Sequence, residues 1–327
     1  MTSPSLLAEP VPVEPSLAPP VQPPGRHRLT VPILLFLVTL LSTTSVGMRY
    51  MYNFNLGRAP LTSDADILPF EWVFRHLSQI ASGLPFSLTL ITILLAHEFG
   101  HYFACRAFGV SATLPYLLPA PSLSGSFGAV IRLRSRVRSR GALIVIGATG
   151  PITGFLVALA STSIGLSLSH YAPMPLVHRV QTPLLVSLFH TLHDPSRPIA
   201  LLIPHPILVA SWMGLLITAL NLIPAGQLDG GHILYAVSPQ AHKLCHRFVV
   251  IALSVMGVFF WVGWILWAAI LLTPGMRHPL IPGDEPLKRW HYALVPLCLV
   301  ILLLAATYQP FEGFSLLDVA RKIPNRY

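Results

Sequence analysis

Residues 91–104 read Ile91-Thr92-Ile93-Leu94-Leu95-Ala96-His97-Glu98-Phe99-Gly100-His101-Tyr102-Phe103-Ala104, a His-Glu-Phe-Gly-His cluster inside an apolar run. On a helix, His97 and His101 project within about 40° of each other, and Glu98 sits about 100° round from His97. Two imidazoles can then share a zinc ion (Zn2+), with a carboxylate near enough to take a proton from water at the metal. A catalytic zinc uses three protein ligands and leaves a fourth position open, so one ligand must come from elsewhere in the chain.

The acidic residues narrow the search for it. Ten of the twelve fall in tails or connecting stretches, and only Glu98 and Asp229 fall at apolar-span positions. An ionisable group in a span costs roughly 2.5–3.5 kcal/mol on insertion scales unless it is paired or bound to a metal. Asp229 is therefore the candidate third ligand, with Glu98 as the catalytic base.

Composition supplies the setting. Hydrophobic residues make up 53% of the 327 and charged residues 10%, with a mean hydropathy of +0.66. A soluble domain carries about a quarter charged residues. The fold class read from this is an all-α polytopic membrane protein, with about six transmembrane helices at 30–47, 84–108, 142–168, 199–225, 247–272 and 291–308. Residues 111–140 are too broken by Pro115, Pro119, Pro121, Gly125 and Gly128 to be a span, yet too apolar for an ordinary loop. They read as a re-entrant β-hairpin, with a strand over 127–134 whose edge could hold an extended substrate segment. Residues 1–28 read as a Pro-rich disordered tail, with eight prolines in the first 25 positions. Residues 29–310 read as the membrane-embedded domain, its core at about 84–235, and 311–327 as a short C-terminal tail.

With a cytoplasmic amino terminus and six crossings, both termini are cytoplasmic. Thirteen of the 21 basic residues then lie inside, as the positive-inside rule prefers. The net charge of +9 is accounted for by a basic face against the anionic lipid bilayer and calls for no nucleic acid. Spans two and four both run inward, which brings His97, His101 and Asp229 to one depth.

Around Asp229 the chain reads Asn221-Leu222-Ile223-Pro224-Ala225-Gly226-Gln227-Leu228-Asp229-Gly230-Gly231-His232. Together with the cluster at 97–101, this resembles the site-2 protease family of intramembrane zinc metalloproteases, in its bacterial and plastid-like branch without an obvious PDZ domain. Gly125-Ser126-Phe127-Gly128-Ala129, the Gly147–Gly154 stretch and Arg277-His278-Pro279 extend the resemblance over about 84–285. It implies hydrolysis of a peptide bond in or near a transmembrane helix of another membrane protein, in a bacterial inner membrane. It also implies that Asn221 contacts the substrate or the developing oxyanion; a helix-packing amide is the plainer alternative. Pro224, Gly226, Gly230 and Gly231 should interrupt the helix and let backbone approach the metal.

Other residues read more plainly. Gly147, Gly150 and Gly154 are spaced for close helix packing, Trp261, Trp264 and Trp267 for lipid-facing or interfacial anchoring. Cys105 shares a helical face with His101 but reads as a buried thiol and not a ligand. His76, His178, His190, His193, His205, His242 and His246 read as loop or surface residues, and His232 as a hydrogen-bonding neighbour of Asp229. Two other classes stay open: a divalent-metal transporter, which would line a path with several ionisable groups, and a non-catalytic relative, which an intact Glu98 disfavours.

Overall fold

The computed structural model describes residues 29–62, 66, 69–121, 123–174, 181–281 and 285–322; the Pro-rich tail and His178 lie outside them. The His-Glu-Phe-Gly-His stretch lies in the C-terminal half of a helix, α3 (Leu84–Ala107). Pro85 starts that helix, where its missing N–H costs nothing, and Gly109, at φ +66°, turns the chain away after it. Before α3 come α1 (Thr30–Asn55), α2 (Phe70–Arg75) and a 3-10 turn (Leu77–Gly83). After it come the strands β1 (Tyr116–Pro119) and β2 (Ser126–Val130), then α4 (Arg140–Ser167). The remainder is β3 (His170–Tyr171), α5 (Leu184–His193), β4 (Leu202–Ile203), α6 (Pro206–Asn221), α7 (Asp229–Val237), α8 (Pro239–Phe259), α9 (Gly263–Leu272), α10 (Arg289–Ala305) and α11 (Leu316–Lys322).

The protein is mainly helical, and α3 and α4 lie at its centre as an antiparallel pair. Thr153 Oγ1 donates to the Ala96 carbonyl at 2.8 Å, and Gly100 packs directly on the Thr149 and Thr153 backbone and side chain. Small residues let the two backbones approach, the usual device where lipid offers no hydrophobic drive for helix association. α6 then runs back antiparallel to α4, with Gly165 against Leu208 and Ser211 Oγ donating to the Ala158 carbonyl at 3.4 Å. α1 is antiparallel to α3 through the buried Thr43–Ser87 hydroxyl pair and the seat of Gly83 on Thr44 and Met48.

Among the described residues, four helical stretches are long and apolar enough to cross a membrane: Thr30–Asn55, Leu77–Ala107, Arg140–Ser167 and Pro239–Phe259. The expected set of six even spans needs correcting in two places. The segment 247–272 is two helices, because the chain breaks at Phe260–Val262 and Gly263 lets it double back. α9 packs along α8, with Ile265 against Gly257. The second correction concerns α10, whose start lies beside the start of α4, His291 against Gly141. At its other end Thr307 Oγ1 donates to Gln181 Oε1 at 2.8 Å, on the far side of α4. α10 is thus parallel to α4 and not antiparallel, and residues 307–310 lie at the face opposite the start of α1. Packing also continues past residue 310, with Phe311 buried against Trp261.

Strands β1 and β2 pair antiparallel, Leu117 opposite Ala129, with an irregularity between Leu118 and Pro119. The hairpin tip rests on α1: Ser42 Oγ donates to the Gly125 carbonyl at 2.6 Å and Tyr50 Oη to the Leu123 carbonyl at 2.6 Å. Gly125, at φ +73°, could not carry a side chain there, because a Cβ would meet the backbone of Ser42 and Thr43.

Candidate metal centre

α6 ends at Asn221 because Pro224 cannot continue it. Residues 222–228 form an irregular turn with Gly226 at φ +58°, and α7 starts at Asp229. The interruption therefore falls at Pro224 and Gly226. Gly230 and Gly231 are helical instead, in the first turn of α7, where any side chain would collide with the Leu222, Ala225 and Gly226 carbonyls. Their lack of a side chain brings α7 against the turn and places Asp229 opposite α3.

The geometry that results joins the two motifs. His97 Nε2 lies 3.1 Å from Asp229 Oδ2, and His101 Nε2 lies 3.3 Å from Asp229 Oδ1. One ligand atom from each of the three side chains falls within 4.8 Å of the other two. Ligands at about 2.0–2.1 Å on a tetrahedral ion are separated by about 3.3 Å, so this donor set fits zinc. The carboxylate offsets half of a dication's charge, and two neutral imidazoles with one carboxylate are a donor set that catalytic zinc takes. His101 Nδ1–H donates to the Ile146 carbonyl at 2.6 Å, which fixes the tautomer and leaves Nε2 as the donor atom for a metal.

Glu98, 5% exposed, is buried beside this group. It shares with His97, His101, Asn221 and Asp229 a cavity of about 240 Å³ whose further wall is Ala129–Ile131 and Leu133. The carboxylate faces the backbone N–H of Ile131. Asn221 Nδ2 is 3.4 Å from His97 Nε2, a contact between α6 and α3 that lies at the wall of this cavity.

Residues 85–263, more than half of the chain, match peptidase family M50. The chain belongs to that family. The M50 match runs from the first turn of α3 to the first residue of α9 and contains all five residues that the two motifs singled out. The chain is similar to the probable zinc metalloprotease EGY2, chloroplastic, of Oryza sativa subsp. indica, at 28% identity over 301 residues, covering 85% of this chain and 52% of that protein. The corresponding EGY2 of Arabidopsis thaliana is 27% identical over 280 residues, covering 80% and 47%. EGY1 of Arabidopsis thaliana is 28% identical over 310 residues, covering 87% and 54%. The chain spans about half the length of these curated relatives.

Several residues have roles that their types did not announce. Gly150 faces the ring of His101, Gly154 the side chain of His97, and Gly147 the Asp229 carbonyl and His232. Gly147 lines the cavity, and Gly150 and Gly154 back the two histidines, so the three glycines are more than a packing seam. His242 and His190 are buried and not at the surface. His242 Nε2–H donates to the Gly226 carbonyl at 3.0 Å, and the Gly226 N–H donates to His246 Nδ1 at 3.2 Å. The spacing of His242 and His246, four apart on α8, was the available signal, but no carboxylate stood near it in sequence. His232 does not bond to Asp229; its Nδ1–H donates to His278 Nε2 at 2.9 Å, while His278 Nδ1–H donates to the Pro279 carbonyl at 2.8 Å. Trp264 is buried, with Nε1–H donating to the Tyr308 carbonyl at 2.8 Å, so it is a core residue and not an anchor. Cys105 is fully buried among Ala104, Val110 and Leu143, which leaves it as packing.

Proposed function

We propose that this M50 chain is an intramembrane zinc endopeptidase that cuts membrane proteins in or beside a transmembrane helix. The observation that carries the reading is the convergence of His97 and His101 on α3 with Asp229 at the start of α7, in one cavity with the buried Glu98. His97, His101 and Asp229 would hold the metal. Zinc bound there supplies Lewis acidity toward a carbonyl and brings the pKa of water toward neutrality. The Glu98 carboxylate takes the proton of the attacking water and returns it to the leaving amine. Asn221 places an amide donor at the cavity wall, where it meets the oxygen that gains charge as the peptide carbonyl becomes tetrahedral.

In this reading the hairpin dips into the membrane, since its tip contacts α1 at Ser42–Tyr50, midway along an apolar helix of spanning length. The strand after Val130 holds the substrate: Thr113 N–H donates to the Arg132 carbonyl and Arg134 N–H to the Ser111 carbonyl. Those residues bond toward the segment 111–113 that leads into β1, while Ile131 and Leu133 line the cavity, where an unwound segment can pair. The start of α1, the end of α3, the start of α4 and the loop after α9 share one face, and Arg277, Lys288 and Arg289 join Arg132–Arg140 there. That concentration of cations makes the face cytoplasmic by the positive-inside rule. The membrane we assign is a bacterial inner membrane, a point that cell fractionation tests. A metal transporter is less well supported, because the described residues hold one metal-competent group and not a path of them. The deciding experiment compares membrane-protein fragments in cells carrying wild-type and Glu98→Gln protein: substrates accumulate uncut in the variant, and identical fragment sets would end the proteolytic reading.

A further inference from the structure

On the face that holds the metal centre, behind the Gly226 turn, α7, α8 and the loop after α9 enclose a second cavity of about 350 Å³. Its mouth carries Lys243 and Arg247, one turn apart on α8, and Arg277 from the loop. None of the three has an ion-pair partner among the described residues. His246 points its ring into the same space, and since its Nδ1 accepts the Gly226 N–H, its Nε2 carries the proton and is a further donor. Three cations and a neutral donor around one cavity form a site for an anion with several acceptor oxygens, such as a phosphate.

What lies beside the cavity indicates which phosphate. Leu244, Phe248, Ile251 and Val255 are 72, 70, 65 and 52% exposed and recur every three or four residues, forming one apolar stripe along α8. Lys243 and Arg247 each immediately precede a residue of that stripe, so the cations stand where α8 leaves the hydrocarbon and the stripe continues into it. A headgroup phosphate in the cavity would leave its acyl chains lying along these residues. Basic pockets at the cytoplasmic ends of membrane helices take anionic lipid headgroups in this way.

We propose that this cavity binds the phosphate of an anionic phospholipid and that occupancy steadies the turn carrying Asp229. The coupling is structural. His242 and His246 hold both backbone groups of Gly226, and Gln227 Nε2 donates to the Gly275 and Arg277 carbonyls at 2.6 and 2.8 Å. An anion bridging Lys243 and Arg247 to Arg277 therefore draws together the two walls that clamp residues 226–227, two residues before Asp229.

The binding test does not depend on proteolysis. Full-length protein is reconstituted in phosphatidylcholine nanodiscs with or without phosphatidylglycerol, and retained lipid is identified by native mass spectrometry after extraction. Wild-type protein should retain phosphatidylglycerol preferentially, and Lys243→Gln, Arg247→Gln and Arg277→Gln should each weaken retention about fivefold, with Arg136→Gln as a control that leaves it unchanged. Undiminished retention in the combined triple variant overturns the proposal. So does inorganic phosphate binding in pure phosphatidylcholine discs as tightly as the lipid, since the site would then serve a soluble anion. If the triple variant misfolds, as judged by zinc content and elution profile, Arg247→Gln alone decides. A second arm, which rests on the proteolytic reading, measures cleavage. Wild-type protein should be faster in anionic discs and Arg247→Gln should lose that gain while keeping its rate in phosphatidylcholine. Equal stimulation of both would remove the coupling; no cleavage by either in any disc would count against the proteolytic reading, leaving the binding arm intact.

Discussion

Gly150 of α4 lies so close to the imidazole of His101 that a methyl group in its place would collide with Nε2, the atom turned toward Asp229. The antiparallel fit of α4 on α3 thus sets the position of a metal ligand, and the packing glycine is part of the site. Gly150→Ala should push the ring away from Asp229 and lower zinc affinity about 10–100-fold, the usual cost of disturbing a group that orients a ligand. Titration with a zinc chelator measures it. A Gly150→Ala protein that holds zinc as tightly as wild type would show that the close approach does not constrain the ligand.

The ligand set itself makes a sharper prediction. His97→Ala and Asp229→Ala should each purify with far less than stoichiometric zinc, because two remaining protein ligands do not make a closed site. Cys105→Ser, four residues from His101 but packed among apolar neighbours, should keep its metal. Elemental analysis of the three proteins side by side checks this. Full zinc in either of the first two, or loss in the third, would reassign the ligands.

Glu98→Gln separates chemistry from binding. The amide keeps the shape of the side chain but cannot accept a proton, so the variant should hold zinc and substrate while turnover falls about 10²–10⁴-fold. Cleavage at the wild-type rate would remove the base assignment. Because Glu98 is not among the three converging ligands, zinc content should be unchanged, and that measurement guards against mistaking misfolding for lost catalysis.

How far the sequence disclosed this arrangement depends on whether a feature is local or arises from packing. His97, Glu98 and His101 could be placed on one helix because four-residue spacing has one geometric meaning, and Asp229 stood out because carboxylates in apolar stretches are costly. Pro224 and Gly226 marked the break before α7. The even set of spans failed where hydropathy is blind: Trp261-Val262-Gly263 is apolar enough to pass for helix interior, yet it is the tip at which α8 turns back into α9. That fold-back, and the parallel run of α10 beside α4, follow from contacts such as His291 on Gly141, far apart in sequence. His242 and His246 were misread for the same reason. Their partner is the backbone of Gly226, and backbone leaves no mark in composition.

The hairpin edge gives the last prediction. Ile131 directs its backbone N–H toward Glu98, and Ala129 lines the same cavity. An extended substrate paired here would lie beside the metal centre with its scissile carbonyl within reach of Asn221. Proline has no N–H to donate, so Ala129→Pro should reduce cleavage well beyond Ala129→Ser while zinc stays bound through α3 and α7. Ile131→Pro also removes the N–H that Glu98 faces and so reports on the base as well as on the edge. Proline could also open the β1–β2 pairing, and that effect has a separate signature. A disulfide formed between cysteines placed at Tyr116 and Val130, which face each other across the hairpin, reports whether the strands remain paired. The substrate contact is then tested in the Glu98→Gln background, which holds uncut substrate. Cysteine at Leu133 should cross-link to residues flanking the scissile bond. Confirmed substrate binding without any cross-link along 129–133 would make the hairpin a plug over the cavity and leave the pairing edge without a role.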